Sequence, residues 1–478
     1  MMKNNSSQET HRIILIIAFL LYIANIWLSP GFNGGADSIT HYQISKYSWN
    51  HPTLLMDQWG KPLFTILFSP IAQWGFLAVN LANLALIIWG GHLAYKIAQH
   101  FNIRRPHWVT LIYFFTPILL GNSKSGLTEP ICAIFLILFL YFATKDKWTL
   151  AALILGFMPF ARSEGFVMVL LAIIFFLFSK RWKQIPVLLL GTLIFNTLGF
   201  LVTGKALWIF DNNPYINTGI KVYGSGSFFH FFILAVPMFG IPFLLVLFET
   251  WKNFRIVPKV LETISWSSQE QIKFWLILGS FWGYFMAHTV LWWLGMWASL
   301  GLIRVMMVIT VPFAILAVMG WERLENAKPY YSQPKVKWIF ISLVIAAPFI
   351  MRSFSFQEIR VFPNMGSEEK VNRKLYTQLI STYEMDGKKT FTAHPYINLL
   401  LDIDPFDTHI NDRLHNWHKA QKGDIIVWDS HFGPNEEQVF KEDIEKDSSF
   451  QLVMVVDPDK PFLTLNKYWY NIRVYEKK

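Results

Sequence analysis

Short polar segments carry the side chains best suited to chemistry in a sequence that is otherwise strongly apolar. The first of them contains Asp37, which follows a glycine pair soon after a long apolar run, with Thr40 and His41 one helical turn further on. A carboxylate at a membrane edge can take a proton from an acceptor hydroxyl, so Asp37 is the candidate general base. Asp37 also suits the N-cap of a helix, and both roles can hold together.

Two further segments place charged side chains where apolar helices begin or turn. Glu129 stands just before Pro130 at the predicted start of the fourth helix, where the helix dipole favours a carboxylate whatever its function. Arg162 and Glu164 occupy a turn between two apolar helices, so we expect both to need partners at the membrane interface. An ion pair of Arg162 with Glu129 or Glu164 is the structural alternative to substrate binding.

A late apolar stretch adds His288 and Arg304. An arginine one turn into an apolar helix is costly unless it meets an anion, and guanidinium geometry matches phosphate oxygens bidentately. A phosphate carried by a lipid would supply that anion, whereas snorkelling to the interface or a structural ion pair is the alternative. His41 and Lys61, both from the first polar segment, complete the predicted substrate-binding set.

The elements that must position these residues are membrane helices. Of the 478 residues, 53% are hydrophobic, 17% are aromatic and only 15% are charged, which is too apolar for a soluble enzyme of this length. The apolar runs predict about eleven transmembrane helices, the last ending near Met351. The first run is predicted to be a retained helix, because no small-residue cleavage site follows it.

Basic residues set the predicted orientation. With the N-terminus inside and an odd number of spans, the inner segments hold most of the lysines and arginines that precede the C-terminal segment. The polar segments around Asp37, Glu129 and Arg162, and the segment 203–227, then meet on the extracytoplasmic face. The net charge of +10 is explained by basic residues scattered over short loops. The sequence has no basic tail and no basic stripe interleaved with aromatic residues, so a nucleic-acid partner is not predicted.

The chain changes character after residue 352. Residues 1–352 are predicted to form an all-α polytopic membrane domain with a first extracytoplasmic loop at 31–62. Charges, short apolar runs and turn signals predict a small extracytoplasmic α/β domain over 353–478. Its histidines and aspartates lack the spacing of a zinc or calcium site, so no metal ligand is assigned and we predict surface or acceptor-binding polarity. These residues are His394, Asp402, Asp404, Asp407, His409, His415 and His418.

The order of the motifs resembles that of the C-type (GT-C) membrane glycosyltransferases over roughly the first 320 residues. The similarity is greatest to the mannosyltransferases that use dolichyl-phosphate mannose, including the glycolipid-anchor branch. The motifs that carry it are Asp37 in the first outer loop, the segment from Asn122 to Glu129, the Arg-Ser-Glu-Gly turn at Arg162, and the Gly-Leu-Ile-Arg sequence ending at Arg304, followed by Pro312.

The resemblance implies a GT-C-like fold, a polyprenyl-phosphate sugar donor and a reaction on the extracytoplasmic face. It assigns Asp37 as the catalytic base and Arg304 as a contact to the donor phosphate. The chain departs from the family where Ser38, rather than a second acid, follows Asp37. This departure argues against a metal-assisted mechanism, although a divalent cation stays open as a cofactor. We therefore predict an inverting hexosyltransferase that moves a hexose such as mannose to a hydroxyl of a glycan, glycolipid or protein acceptor.

Two other functional classes stay open at this stage. A transporter or flippase of lipid-linked sugars should show broken helices and ionisable groups near the bilayer midplane, whereas these charges cluster at one edge. A polysaccharide ligase or polymerase would share the membrane, the face and the donor type, and no residue excludes it. The lack of retention or lipidation signals favours a multi-pass protein of a bacterial inner membrane, with its N-terminus cytoplasmic.

Overall fold

The computed structural model describes residues 2–215, 224–254, 269–351, 357–382, 388–464 and 467–478. Apolar helices make up most of the chain as far as residue 351. They are α1 Met2–Leu28, α2 Gly35–Tyr47, α3 Pro62–Ala72, α4 Phe76–His100, α5 Pro106–Phe114, α6 Pro117–Gly121, α7 Glu129–Thr144, α8 Trp148–Ala161, α9 Gly165–Phe178, α10 Gln184–Leu188, α11 Leu190–Thr203, α12 Trp208–Asp211, α13 His230–Ile233, α14 Ala235–Phe239, α15 Pro242–Phe254, α16 Gln269–Leu294, α17 Thr310–Ala327 and α18 Pro334–Met351. Short 3₁₀ helices span Pro52–Met56, Ile303–Ile309 and Pro329–Ser332.

The chain is a multi-pass integral membrane protein. Within the described residues, 5 helical stretches are long and apolar enough to cross a bilayer. Shorter apolar helices such as α7, α8 and α9 pack with them around one large hydrophobic core. The total of about eleven spans stays a prediction. The long stretches are Ser6–Leu28, Phe76–His100, Gln184–Thr203, Ile303–Ala327 and Pro334–Met351.

Prolines mark the points at which polar segments turn into helices. Pro62 opens α3 and Pro130 lies in the first turn of α7. Proline suits these positions because the first helical amides have no intrahelical acceptor and its φ angle is already helical. Lys61 directly before α3 and Glu129 at the start of α7 are thereby held at fixed places beside the helix ends.

The C-terminal strands form one mixed five-stranded sheet in the order β2-β1-β3-β5-β4. β1 runs parallel to β2 and β3, whereas β5 runs antiparallel to β3 and β4. The predicted apolar runs 424–428 and 451–456 correspond to β3 and β4. The elements are α19 Ser367–Thr382, β1 Thr390–Thr392, α20 Pro395–Leu400, β2 Asn411–Asp412, β3 Ile425–Asp429, α21 Phe432–Glu436, α22 Lys441–Glu445, β4 Phe450–Val456 and β5 Ile472–Lys477, with 3₁₀ helices at Gln357–Ile359 and Leu414–Lys419.

Both faces of this sheet are covered. Ile425 and Val427 of β3 pack into one apolar cluster with α19, and Ile426 and Trp428 pack into another on the opposite face. This alternation follows from the two-residue period of a strand. The predicted domain boundary after residue 352 falls at residues 352–356, which lie outside the described residues.

The sheet segment packs against α2. The side-chain amide of Gln43 donates to the carbonyl oxygen of Pro395 at 3.1 Å. Lys46 pairs with Asp402 at 2.8 Å, and the ring of His51 lies 3.0 Å from a carboxylate oxygen of Asp404. The helix that carries Asp37 is therefore held between the membrane helices and the C-terminal segment.

Candidate active site

The predicted site residues meet around one cavity of about 450 Å³. It is reached by the first turn of α2, the turn between α8 and α9, the body of α16 and the 3₁₀ helix that precedes α17. Residues far apart in the chain therefore share one site at the ends of several helices. The predicted residues that line it are Asp37, His41, Lys61, Arg162, Glu164, His288 and Arg304.

Asp37 is the carboxylate most open to the cavity, with its side chain 41% exposed. It lies in the first turn of α2, whose N-cap is Gly34, so Asp37 is not the cap residue. Nη2 of Arg304 donates a hydrogen bond to Oδ2 of Asp37. Within the described part of the chain Oδ1 has no protein partner, so this oxygen is available to a hydroxyl group of a substrate.

Glu129 completes a chain of alternating charges behind Asp37. Its carboxylate is fully buried and lies 2.9 Å from Nη1 of Arg162 and 3.3 Å from Nε of Arg304. Arg162 also pairs with Glu164 at 2.7 Å. The ion pairs considered as the structural alternative for Arg162 are therefore present, and they do not remove Arg162 from the cavity wall.

Glu358 is a site residue that the sequence analysis missed. Its carboxylate accepts the backbone N–H of Ile303 at 2.9 Å and lies 3.9 Å from Nη1 of Arg304. Arg304 is therefore surrounded by the carboxylates of Asp37, Glu129 and Glu358. No signal in the sequence identifies Glu358, because it follows the last membrane helix and reaches Arg304 only through the tertiary fold.

Lys61 differs from the arginines in its surroundings. Its side chain is buried, and its Nζ donates to the carbonyl oxygen of Gln58 at 3.2 Å, to Oγ of Ser163 at 3.3 Å and to the hydroxyl of Tyr215 at 3.0 Å. All three of these partners are neutral. No carboxylate contacts this ammonium among the described residues, and Glu164 of the same cavity wall acts on it only through space. A buried ammonium without a contacting carboxylate is costly, so Lys61 offers the clearest place for an anionic ligand.

Aromatic and imidazole rings form the rest of the wall. His41 stacks on Trp59 with ring centroids 4.7 Å apart, and His288 lies 4.6 Å from the ring of Tyr284. Both histidines are buried. Tyr47, another aromatic of the first loop, packs on Phe406 instead, which makes it a docking residue rather than a cavity residue.

The residues around Asp37 do not fit a divalent cation well. The carboxylates of Asp37, Glu129 and Glu164 face guanidinium groups, whereas a hard cation needs several oxygens free to converge on it. No group of three or more histidine, cysteine or acidic side chains with metal-binding geometry occurs in the described ranges. In the sheet segment, Asp402 pairs with Lys46 of α2, Asp404 pairs with His51, and His415 contacts Glu437.

The fold is similar to those of two groups of solved membrane proteins. ArnT from Cupriavidus metallidurans bound to undecaprenyl phosphate gives a TM-score of 0.55 at 12% identity, with 97% of each chain covered. Its apo state gives 0.57 at 11% identity with the same coverage. The apo oligosaccharyltransferase of Archaeoglobus fulgidus gives 0.54 at 13% identity, covering 96% of this chain and 74% of that one. No protein-family model and no curated protein sequence matches this chain.

Both neighbours are C-type membrane glycosyltransferases. At identities this low the likeness concerns the fold, and it extends over nearly the whole chain. The predicted combination of a GT-C-like helical region and a small C-terminal sheet is thus confirmed. The mannosyltransferase branch and the role of each site residue stay predictions.

Proposed function

We propose that the chain is a membrane glycosyltransferase that takes a sugar from a polyprenyl-phosphate donor. One observation carries this proposal: an open carboxylate, Asp37, and a buried ammonium with neutral partners, Lys61, line the same cavity at the edge of the helices. A base and an anion site within one cavity are what sugar transfer from a lipid phosphate requires. The GT-C-like fold supports the same conclusion.

The proposed reaction is an inverting transfer. Oδ1 of Asp37 takes the proton of the acceptor hydroxyl while the hydroxyl oxygen attacks the anomeric carbon of the sugar. The bond between that carbon and the phosphate oxygen breaks, and the electron pair leaves with the polyprenyl phosphate. Arg304 holds Oδ2 of the same carboxylate, which fixes the orientation of the base before the acceptor arrives.

Lys61 is the main contact to the leaving phosphate in this mechanism. Arg304, which the resemblance assigns to the phosphate, already faces three carboxylates and is closer to charge balance. We therefore assign Arg304 first to the positioning of Asp37 and second to the phosphate. Arg162 and Glu164, held by Glu129, together with His41 and His288, form the remaining wall against the sugar and phosphate.

The finer predictions belong to the same proposal. The donor sugar is a hexose such as mannose, and the acceptor is a hydroxyl of a glycan, glycolipid or protein. The cavity and the domain 353–478 face the extracytoplasmic side of a bacterial inner membrane, and the domain 1–352 crosses it about eleven times. The residues around Asp37 favour a reaction without a divalent cation.

The test is sugar release by the purified full-length protein from radiolabelled donors. A panel of polyprenyl-phosphate hexoses is compared with a polyprenyl-diphosphate oligosaccharide, with and without a chelator. We expect transfer or slow hydrolysis of a monophosphate donor that the chelator does not change. Turnover of the diphosphate donor alone would indicate a ligase or polymerase. Movement of the donor across vesicle membranes without cleavage would indicate a transporter.

A further inference from the structure

A second cluster of buried titratable side chains lies in the sheet segment, at the carboxyl ends of β1 and β3. His394 comes two residues after β1, and His431 comes two residues after β3, which ends at Asp429. Glu368 and Asn372 reach the same place from the first turns of α19. None of these residues belongs to the cavity around Asp37.

The topology makes this place a crevice. From β1 the chain passes through α20 to β2 on one side, whereas β3 lies on the other side of β1, parallel to it. From β3 the chain continues away from β1, toward β4 at the opposite edge. The two loops therefore diverge above neighbouring parallel strands. Open α/β sheets bind their ligands at such points of divergence.

The side chains of the cluster hold one another in defined states. The backbone N–H of Tyr396 donates to Nδ1 of His394 at 3.2 Å, so the proton of this ring lies on Nε2 and is directed at the side-chain amide of Asn372, 3.1 Å away. That nitrogen is 3.6 Å from one oxygen of Glu368, whose other oxygen is 2.9 Å from Nδ1 of His431. The crevice is preorganised, and His431 and Glu368 are partly open to solvent.

One buried carboxylate oxygen of the cluster is left without a donor. Asp429 uses Oδ1 to accept the backbone N–H groups of His431 and Phe432, at 2.9 Å and 2.8 Å. Its other oxygen, Oδ2, has no hydrogen-bond partner among the described residues, and the Asp429 side chain is fully buried. Buried acceptors are normally paired, so a ligand of this crevice should bring donors, as the hydroxyl groups of a sugar do.

The crevice lies on the side of the sheet that faces the membrane helices. The ring of Tyr396 packs 6.1 Å from that of Phe32, which precedes α2. Burial, together with the negative charges of Glu437 and Asp37, raises the pKa of Glu436 in α21. The carboxylates of Glu436 and Asp37 are thus within electrostatic range of each other, and a saccharide held in the crevice can extend toward the cavity.

We propose that the crevice between β1 and β3 binds the saccharide part of the acceptor through its hydroxyl groups. Asp429 and Glu368 accept from those hydroxyls, and His431 donates to the ring oxygens. This inference rests on the proposed glycosyl transfer, because it supplies the second substrate of that reaction. It adds a binding site that is separate from the site of the chemistry.

The test is binding of methyl α-D-mannopyranoside to the full-length protein in a detergent without a sugar headgroup, followed by saturation-transfer NMR. Asp429→Asn and Glu368→Gln keep the side-chain shapes and should weaken binding about tenfold, because each changes a hydrogen bond of the ligand. Asp424→Asn is the matched control, since this carboxylate of the same segment accepts, within the described ranges, only the backbone N–H groups of Lys389 and Gln421. It should bind as the wild type does.

A second measurement needs only the wild-type protein. Bound mannoside should slow hydrogen exchange of the backbone amides at 394–397 and 429–432. Absence of binding, unchanged binding in both variants, or unchanged exchange at these amides would overturn the inference. If ethanolamine binds in the crevice and the mannoside does not, the crevice is a site for an ammonium group. This result would also overturn the inference.

Failure of the proposed function gives a different pattern. If no lipid-linked donor is turned over while the mannoside still protects the amides of the crevice from exchange, the glycosyltransferase proposal fails. The crevice then remains a sugar-binding site, but not one for the acceptor of this reaction. If transfer occurs without protection of the crevice, only the present inference fails. Asp37→Asn should abolish transfer and leave mannoside binding unchanged, because Asp37 lies outside the crevice.

Discussion

At the scale of single residues, the site is organised by an alternation of charge. Glu129 lies between Arg162 and Arg304, and Arg304 in turn holds Asp37. Removing one partner of a buried ion pair leaves an unbalanced charge and typically costs about 3–5 kcal/mol. The arginines therefore serve two purposes, because they satisfy buried carboxylates and also fix the direction of the one carboxylate that is open to the cavity.

Lys61 should contribute more to binding of the donor than to stability of the fold. Lys61→Gln should weaken donor binding by about 10- to 100-fold, since a hydrogen bond to a charged group contributes about 1.5–3 kcal/mol. The donor concentration at half-maximal rate would measure this effect. Lys205→Gln, which changes an exposed lysine of another predicted outer loop, is the control and should behave as the wild type. Equal donor affinities in the two variants would contradict a phosphate site at Lys61.

At the scale of elements, the start of α2 decides where Asp37 points. Gly34 has φ +87°, and a Cβ atom there would clash with Oγ of Ser38 and approach Leu127 to 2.7 Å. The neighbouring Gly35 has φ +51°, but a Cβ atom there would meet nothing within 4 Å. The two glycines share a left-handed backbone and differ in the space around them.

Gly34→Ala should therefore impair turnover more than Gly35→Ala. Both changes strain the backbone by about 1–2 kcal/mol, but only Gly34→Ala must also shift the first turn of α2. A displacement of about 1 Å at a reacting group can cost on the order of 100-fold in rate. The comparison uses kcat and the melting temperature of both variants. A loss of kcat that is equal in both would mean that strain alone, and not the position of α2, accounts for the effect.

Local patterns predicted much of the site and less of its connections. Asp37, Lys61 and Glu129 could be found because polar residues beside apolar runs stand out in the sequence. The pairing of Arg304 with these carboxylates could not be predicted, since a lipid phosphate would satisfy a lone arginine equally well. Its third partner, Glu358, reaches it only across the tertiary fold. The strands β3 and β4 followed from apolar runs, but the sheet order depends on long-range pairing that no local pattern specifies.

At the scale of the whole molecule, the sheet segment and the membrane helices are in direct contact beside the candidate active site. Lys46 and His51 contact Asp402 and Asp404 across the interface. α2 is common to both parts, since one end carries Asp37 and the other meets the sheet segment. Folding of the C-terminal segment is therefore expected to support the geometry of the cavity.

The stability of the sheet segment should depend on pH through Glu368 and His431. Burial opposes the charge of Glu368, but hydrogen bonds with His394 and His431 outweigh it and lower its pKa to about 2. Burial likewise opposes the charge of His431, but its hydrogen bond to Glu368 and the nearby carboxylates raise its pKa. The lowered pKa stabilises the fold above pH about 4.5, and this stabilisation is lost as the pH falls toward 2.

The raised pKa of His431 acts in the other direction. It stabilises the fold fully below pH about 6.5, and this stabilisation is lost as the pH rises through the raised pKa. The melting temperature of Glu368→Gln should thus fall furthest below that of the wild type between about pH 4.5 and 6.5, and the difference should shrink on either side. Circular dichroism melts across this range would measure it. A difference that does not change with pH would contradict the pairing of Glu368 with His431.

The most direct test of the proposed mechanism is the rate of donor cleavage by Asp37→Asn at saturating donor. Loss of a general base typically lowers a rate by about 100- to 10,000-fold, and we expect a fall in kcat of this size with donor affinity retained. Asp57→Asn is the matched control, because Asp57 belongs to the same loop but, among the described residues, accepts only the backbone N–H of Gly60, at 2.6 Å. The prediction is a large loss in Asp37→Asn and none in Asp57→Asn; wild-type turnover by folded Asp37→Asn protein would contradict the assignment of the base.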